Sequence, residues 1–146
     1  MNRLRRILLV EDNRNDVELT LTALGEHHLA NAVDVVSDGV EALEYLYRRG
    51  DYSQRPPGMP AVVLLDLKLP RLSGLELLQT IKGDPELQLI PTVILSSSQE
   101  EQDLVKSYRL GVNAYIVKPM DFDSFMEAVR TLGSFWAILN EVPQNY

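Results

Sequence analysis

The sequence predicts a doubly wound α/β fold: a five-stranded parallel sheet in the order 2-1-3-4-5 with five helices. Short apolar runs of Val, Ile and Leu recur five times, and most are unbroken, as strands buried on both faces of a parallel sheet must be. Between them lie segments with apolar residues at helical spacing. Strand and helix thus alternate, which puts helices on both sides of the sheet, and right-handed crossovers restrict the topology.

The first run, Ile7–Val10, follows a basic start in which Arg3, Arg5 and Arg6 cluster. A helix follows, with Val17, Leu21 and Leu24 on one face. Asp34 interrupts the second run, Val33–Val36, which therefore reads as an edge strand. Ser37 and Asp38 start the second helix, which carries Val40, Leu43 and Leu46 or Tyr47 and ends in the basic pair Arg48 and Arg49. Residues 50–60 (GDYSQRPPGMP) form a long polar, proline-rich connection rather than an interdomain linker. The third strand, Val62–Leu65, leads to a helix begun by Ser73 and Gly74, with Leu75, Leu78 and Ile81 or Lys82 on one face. The fourth strand, 93–95, precedes a helix from about Glu100 to Leu110 that carries Leu104, Val105 and Tyr108 and stops at Gly111. After the fifth strand, Ala114–Val117, the last helix opens with Asp121 and runs Phe122, Phe125, Met126, Val129, Leu132, Trp136 and Leu139 at spacings of three and four.

The length of 146 residues suits one domain over 1–146, with a core of about 6–132 and a C-terminal extension over 133–146. A net charge of −7 argues against a nucleic-acid binder, which would show a basic face; the small arginine clusters read as solvated ends of a strand and a helix. No apolar run approaches the roughly 20 residues needed to cross a bilayer, and no secretory signal opens the chain. Without cysteine, disulfides and thiolate metal sites are excluded, and a cytoplasmic setting is compatible.

The polar residues fall where strands end. The first strand runs into Glu11 and Asp12, the third into Asp66, the fourth into Ser96 and the fifth into Lys118. In an open parallel sheet these ends share one edge, where ligands bind at the reversal of strand order. Four remote segments thus deliver three carboxylates, a hydroxyl and an ammonium to one place. Like charges about 4 Å apart cost on the order of 4 kcal/mol per pair at an effective dielectric near 20, and one lysine does not offset three carboxylates. Either some carboxyls stay protonated or a divalent cation sits among them. Oxygen-only ligands select a hard ion such as Mg²⁺, which also accepts a phosphate oxygen. The implied chemistry is phosphoryl transfer.

With ILLVEDN, LLDLKLPRLSG, PTVILSSS and NAYIVKP in view, the chain resembles the receiver domain of two-component response regulators from about Arg6 to Leu132. The resemblance implies a flavodoxin-like fold and Asp66 as acceptor of a phosphoryl group from a sensor histidine kinase. It implies that Asp12 holds Mg²⁺ directly and Glu11 through water, with Asp66 and the backbone carbonyl of Lys68 as further ligands. Lys118 matches the lysine that pairs with phosphoryl oxygens, and the Lys118–Pro119 bond one that is often cis. Ser96 matches the hydroxyl that shifts toward the phosphoryl group, and Tyr115 the aromatic that moves with it. Ser97 and Ser98 read as a solvated loop, with the Ser97 amide facing the phosphate. Two departures stand out: the acidic pair is Glu-Asp rather than Asp-Asp, and Lys68 sits where side chains influence hydrolytic water.

Other readings fit less well. An aspartate-nucleophile phosphatase would place a second Asp where Lys68 stands, an FMN carrier would not follow its first strand with EDNRND, and a pseudo-receiver would lack one of these acidic or lysine positions. A receiver whose chain ends here must pass its output through protein contacts. The pattern of EDNRND, the long loop and SFW resembles the small single-domain response regulators paired with phytochromes, which implies a homodimer through the fourth helix, fifth strand and fifth helix. Phe135, Trp136, Ile138 and Leu139 cannot all share one narrow stripe, so apolar surface at Phe135, Trp136 and Leu139 is expected to remain for a partner.

Overall fold

The computed structural model describes residues 6–26, 29 and 32–141, with Leu139 by its backbone alone; Arg3, Arg5 and the Leu139 side chain lie outside the described residues. Strands β1 (Ile7–Val10), β2 (Val33–Val36), β3 (Val62–Leu65), β4 (Thr92–Ser96) and β5 (Ala114–Val117) form one parallel sheet in the order β2-β1-β3-β4-β5. Helices α1 (Arg14–Gly25), α2 (Gly39–Tyr47), α3 (Gly74–Gly83), α4 (Glu101–Arg109) and α5 (Phe122–Leu132) alternate with them. This is the doubly wound architecture expected from the alternating pattern and the flavodoxin-like fold that the resemblance implies.

Burial follows position in the sheet. The inner strands β1, β3 and β4 are buried throughout, whereas the edge strands β2 and β5 are only partly covered. Successive residues alternate faces. Leu8, Val10, Val63, Leu65 and Ile94 meet α2 and α3 on one side, while Ile7, Leu9, Val62, Leu64, Val93 and Leu95 meet α1 and α5 on the other.

Several helix faces differ from the sequence reading; α3, for one, buries Leu77 with Leu78 and Ile81 while Leu75 is only partly covered. In α1 the buried residues are Thr20, Ala23 and Leu24, not Leu21; the Thr20 hydroxyl is satisfied by the Asp16 carbonyl at 2.7 Å. In α2 the face is rotated by about one residue, burying Gly39, Ala42, Tyr45 and Leu46. Gly39 decides this, because a Cβ there would lie 2.5 Å from the Leu72 carbonyl oxygen. In α4 the buried residue is Ser107, while Val105 and Tyr108 face outward and help line a groove of about 550 Å³ with Glu101, Leu104 and Arg109. Apolar spacing alone does not say whether a stripe meets the sheet or solvent.

The last helix also changes character. Residues Gly133–Leu139 form a π-helical segment, with the Asn140 amide donating to the Phe135 carbonyl at 2.7 Å. The wider turn resets the buried face. Ala137 is buried and Trp136 packs on the α1–α5 side, whereas Phe135 and Ile138 are half exposed.

Asp34 is tolerable because β2 is an edge. Its carboxylate accepts from the Arg6 guanidinium at 2.6 Å and from the buried Tyr45 hydroxyl at 2.5 Å. Burial, together with that bond to a carboxylate, pushes the Tyr45 phenol up to about 12. A group whose folded value is raised contributes stability that is fully present below its ordinary value of 10 and is lost as pH rises toward about 12. Tyr45→Phe is therefore expected to cost about 1 kcal/mol at neutral pH through the lost bond and to flatten the alkaline decline. Urea melts at pH 7 and across the alkaline range check both; an unchanged alkaline slope would refute the assignment.

Candidate functional site

Backbone pairing continues one residue past the strand ends, and this aligns the polar residues. The Glu11 amide donates to the Val36 carbonyl at 3.0 Å, the Asp66 amide to the Val10 carbonyl at 3.2 Å, and the Lys118 amide to the Ser96 carbonyl at 2.7 Å. Glu11, Asp66, Ser96 and Lys118 thus stand side by side along the C-terminal edge of the sheet. Asp12 follows on the exposed loop, and Asn13 then caps α1 by accepting the Asp16 amide at 3.0 Å.

The loop after Asp66 is held from both ends. The Lys68 amide donates to Asp66 Oδ1 at 3.3 Å, while the Lys68 side chain is exposed. Arg71, in a left-handed conformation with φ 63°, forks onto Asp38 at 2.9–3.0 Å and ties this loop to the start of α2. Gly74 donates its amide to the Leu67 carbonyl at 2.9 Å. A Cβ at Gly74 would lie 2.2 Å from the Asp66 carbonyl oxygen, so only glycine lets α3 begin this close to the acidic strand end.

Glu11, Asp12 and Asp66 each offer a carboxylate oxygen within 4.8 Å of the others. Lys118 Nζ donates to Glu11 Oε1 and Asp16 Oδ2, both at 2.7 Å, and to Asp66 Oδ2 at 3.2 Å. Glu11 and Lys118 are both largely shielded, with side-chain exposures of 5% and 11%. Burial pushes the Glu11 carboxyl up, and the Lys118 ammonium only partly pulls it back. For Lys118 itself burial opposes the charge, but the bonds to Asp16 and Glu11 outweigh it and hold the ammonium far above its usual range. Lys118 donates to three of the four carboxyl groups gathered here and not to Asp12, so one ammonium does not balance the acidic groups of the site. All the donors of the trio are hard oxygens, a set that fits Mg²⁺ or a similar divalent ion.

Ser96 is buried at the end of β4, and its hydroxyl oxygen accepts the Ser98 amide at 3.2 Å. Ser98 is more than a solvated loop residue. Its carbonyl accepts the Tyr115 hydroxyl at 2.9 Å, and its own hydroxyl donates to Asp103 of α4 at 2.6 Å. Tyr115 packs against the α2–α3 side of the sheet. The Lys118–Pro119 bond is trans, not the cis form anticipated from the resemblance; the trans preference of an X–Pro bond is only about 0.5–1 kcal/mol, so local packing decides it.

The structure therefore brings Glu11, Asp12, Asp66 and Lys118 together, with Ser96 at the end of the neighbouring strand. Phe135 and Trp136 lie away from this group on the C-terminal π-helical segment. One member was missed from sequence: Asp16. An acidic residue in the first turn of a helix, three after the cap, already has a local explanation in the helix dipole. The available signal was its position four residues after Asp12, which returns it to the same end of the sheet.

A family model described as the response regulator receiver domain matches residues 7–130. The response regulator Rcp1 of Synechocystis sp. is 37% identical over 130 residues, covering 89% of this chain and 87% of that protein. Rcp1 solved in its Mn²⁺-bound form aligns over 95% of this chain and 99% of that one, with a TM-score of 0.88 and 35% identity. The phosphorylated cyanobacterial phytochrome response regulator RcpA aligns over 97% and 99%, with a TM-score of 0.90 and 39% identity. The bacteriophytochrome response regulator AtBRR is 62% identical over 96% and 100%, with a TM-score of 0.76.

Proposed function

Because the chain belongs to the response regulator receiver family, we propose that it is a single-domain response regulator that accepts a phosphoryl group on Asp66 from a sensor histidine kinase and switches a partner-binding surface. The observation that carries this is the placement of the Asp66 carboxylate, joined to Glu11 and Asp12 on one side and 3.2 Å from Lys118 Nζ on the other. In this reading 1–146 is one receiver domain, with core 6–132 and extension 133–146, acting in the cytoplasm and catalysing only its own phosphorylation and dephosphorylation.

The chain's residues divide the work. One Asp66 oxygen attacks phosphorus in line as the P–N bond of the phosphohistidine breaks, its electron pair returning to the imidazole, and an acyl phosphate forms. Lys118 donates to the phosphoryl oxygens and balances their charge. Glu11, Asp12, Asp66 and the Lys68 carbonyl would hold Mg²⁺, which when bound neutralises charge on the carboxylates and the phosphoryl group. The exposed Lys68 side chain, two residues after Asp66, is the group proposed to influence hydrolytic water. The acyl phosphate replaces one negative charge with about two, drawing the Ser96 hydroxyl toward it. Because Ser98 joins Ser96, Tyr115 and Asp103, that movement passes to α4 and β5.

The test is phosphoryl uptake from acetyl phosphate with Mg²⁺ and with EDTA in its place. Uptake is expected only with the metal; equal labelling in EDTA would sink this reading. The phytochrome-related names of RcpA and AtBRR favour a phytochrome-type kinase as donor. A homodimer through α4, β5, α5 and the segment beyond is supported by the outward Val105, Tyr108, Phe122, Phe135 and Ile138. Phe135→Ala combined with Ile138→Ala is expected to shift sedimentation toward monomer, and a double variant sedimenting as wild type would remove that surface from the dimer. Nothing in this reading needs nucleic acid or a membrane; among the described residues no helix is long and apolar enough to cross one.

A further inference from the structure

We propose that Asp16 is a positioning residue for phosphoryl transfer: from outside the carboxylate trio it holds the Lys118 ammonium beside Asp66 while the trio's own oxygens are engaged. This rests on the receiver reading above. The ammonium has three N–H donors and meets three carboxylate acceptors, Glu11 and Asp16 at 2.7 Å and Asp66 at 3.2 Å. Two of these belong to the group whose oxygens lie within 4.8 Å of one another; Asp16 does not. A divalent cation drawn to that group competes for the oxygens of Glu11 and Asp66 and repels the lysine. Asp16 alone keeps its carboxylate for Lys118.

The backbone of Asp16 is fixed from both sides. Its amide donates to the Asn13 side chain at 3.0 Å, and its carbonyl accepts the buried Thr20 hydroxyl at 2.7 Å. A first-turn acid stabilised only by the helix dipole would point to solvent. Asp16 instead turns inward, with 24% side-chain exposure, and bridges α1 to the end of β5 across 102 residues of sequence. Through this bond the first turn of α1 sets where the ammonium sits relative to Asp66. Misplacing a charged group by about 1 Å costs up to about a hundredfold in rate, so a partial loss of this hold is expected to show as about tenfold.

The experiment compares full-length wild type, Asp16→Asn, Asp16→Glu, Lys118→Ala and the Asp16→Asn/Lys118→Ala pair, each saturated with Mg²⁺. Initial phosphoryl uptake from acetyl phosphate is measured together with the NMR signal of the Lys118 Nζ–H protons. Asp16→Asn is expected to slow uptake about tenfold and to lose the ammonium signal to solvent exchange. Asp16→Glu, which keeps a carboxylate and guards against an Asn variant that folds poorly, is expected to restore most of the rate. In the Lys118→Ala background Asp16→Asn is expected to add no further loss, because its effect runs through the lysine. A wild-type rate and a retained signal in Asp16→Asn would overturn the proposal alone, as would an equal further loss without Lys118. A wild-type protein that takes up no label would overturn the receiver reading, and this proposal with it.

Discussion

Asp66→Asn is expected to take up no phosphoryl group from acetyl phosphate in the presence of Mg²⁺, while folding as the wild type does. The carboxamide is nearly isosteric but lacks the anionic oxygen that attacks phosphorus. Asp66 lies at the end of β3 with its amide still paired to the Val10 carbonyl and Oδ1 accepting the Lys68 amide, and Asn preserves both bonds. The substitution also removes one of the crowded negative charges. Stability is therefore expected to hold or to rise by about 1 kcal/mol, a typical gain when partly screened like charges are separated. Intact-protein mass after incubation with the donor, paired with a urea melt, reads both quantities. Labelling of the Asn variant at the wild-type rate would move the acceptor to another residue.

Lys118→Ala is expected to lower phosphoryl uptake by about 10²–10³-fold, the usual cost of removing one donor aimed at developing anionic charge. It also alters the pH dependence of folding in a signed way. Burial already raises the Glu11 carboxyl, and the ammonium bonded to it is what pulls it back. Without Lys118 the folded value moves further up while the unfolded value stays ordinary. A folded acid that binds its proton more tightly than the unfolded chain contributes stability that is fully present below the ordinary carboxylate value and is lost as pH rises through the folded one. The variant should thus lose stability more steeply than wild type as pH climbs through the weakly acidic range. Urea midpoints measured across that range decide it, and parallel curves for the two proteins would show that Glu11 does not depend on this lysine.

Much of this architecture was legible because the strands are buried on both sides. Runs such as ILLV and VVLL tolerate no polar residue at the centre of a parallel sheet, while Asp34 announced an edge. The convergence of Glu11, Asp12, Asp66 and Lys118 was legible for a related reason: in a parallel sheet every strand ends at the same rim, so the residue after each run is placed by topology. The helices were less readable. A period of 3.6 leaves two adjacent apolar residues as rivals for one face, and in α2 a backbone approach at Gly39, with Leu72 only 2.5 Å from an added Cβ, settled the choice. In α4 Val105 and Tyr108 of the apolar stripe face outward while Ser107 is the residue buried against the sheet.

By itself, then, the sequence determined strand positions, the β2 edge and the acidic rim, since those follow from burial and chain direction; the sheet order was an expectation from the doubly wound topology that the structure bears out. Only the tertiary structure decided which carboxylates share the ammonium, that Asp16 joins them across 102 residues, that Ser98 links Ser96 and Tyr115 to α4, and that Phe135 rather than Trp136 faces solvent. Those are choices among partners a few ångströms apart. They depend on where packed helices set side chains in space, and no local pattern along the chain encodes that distance.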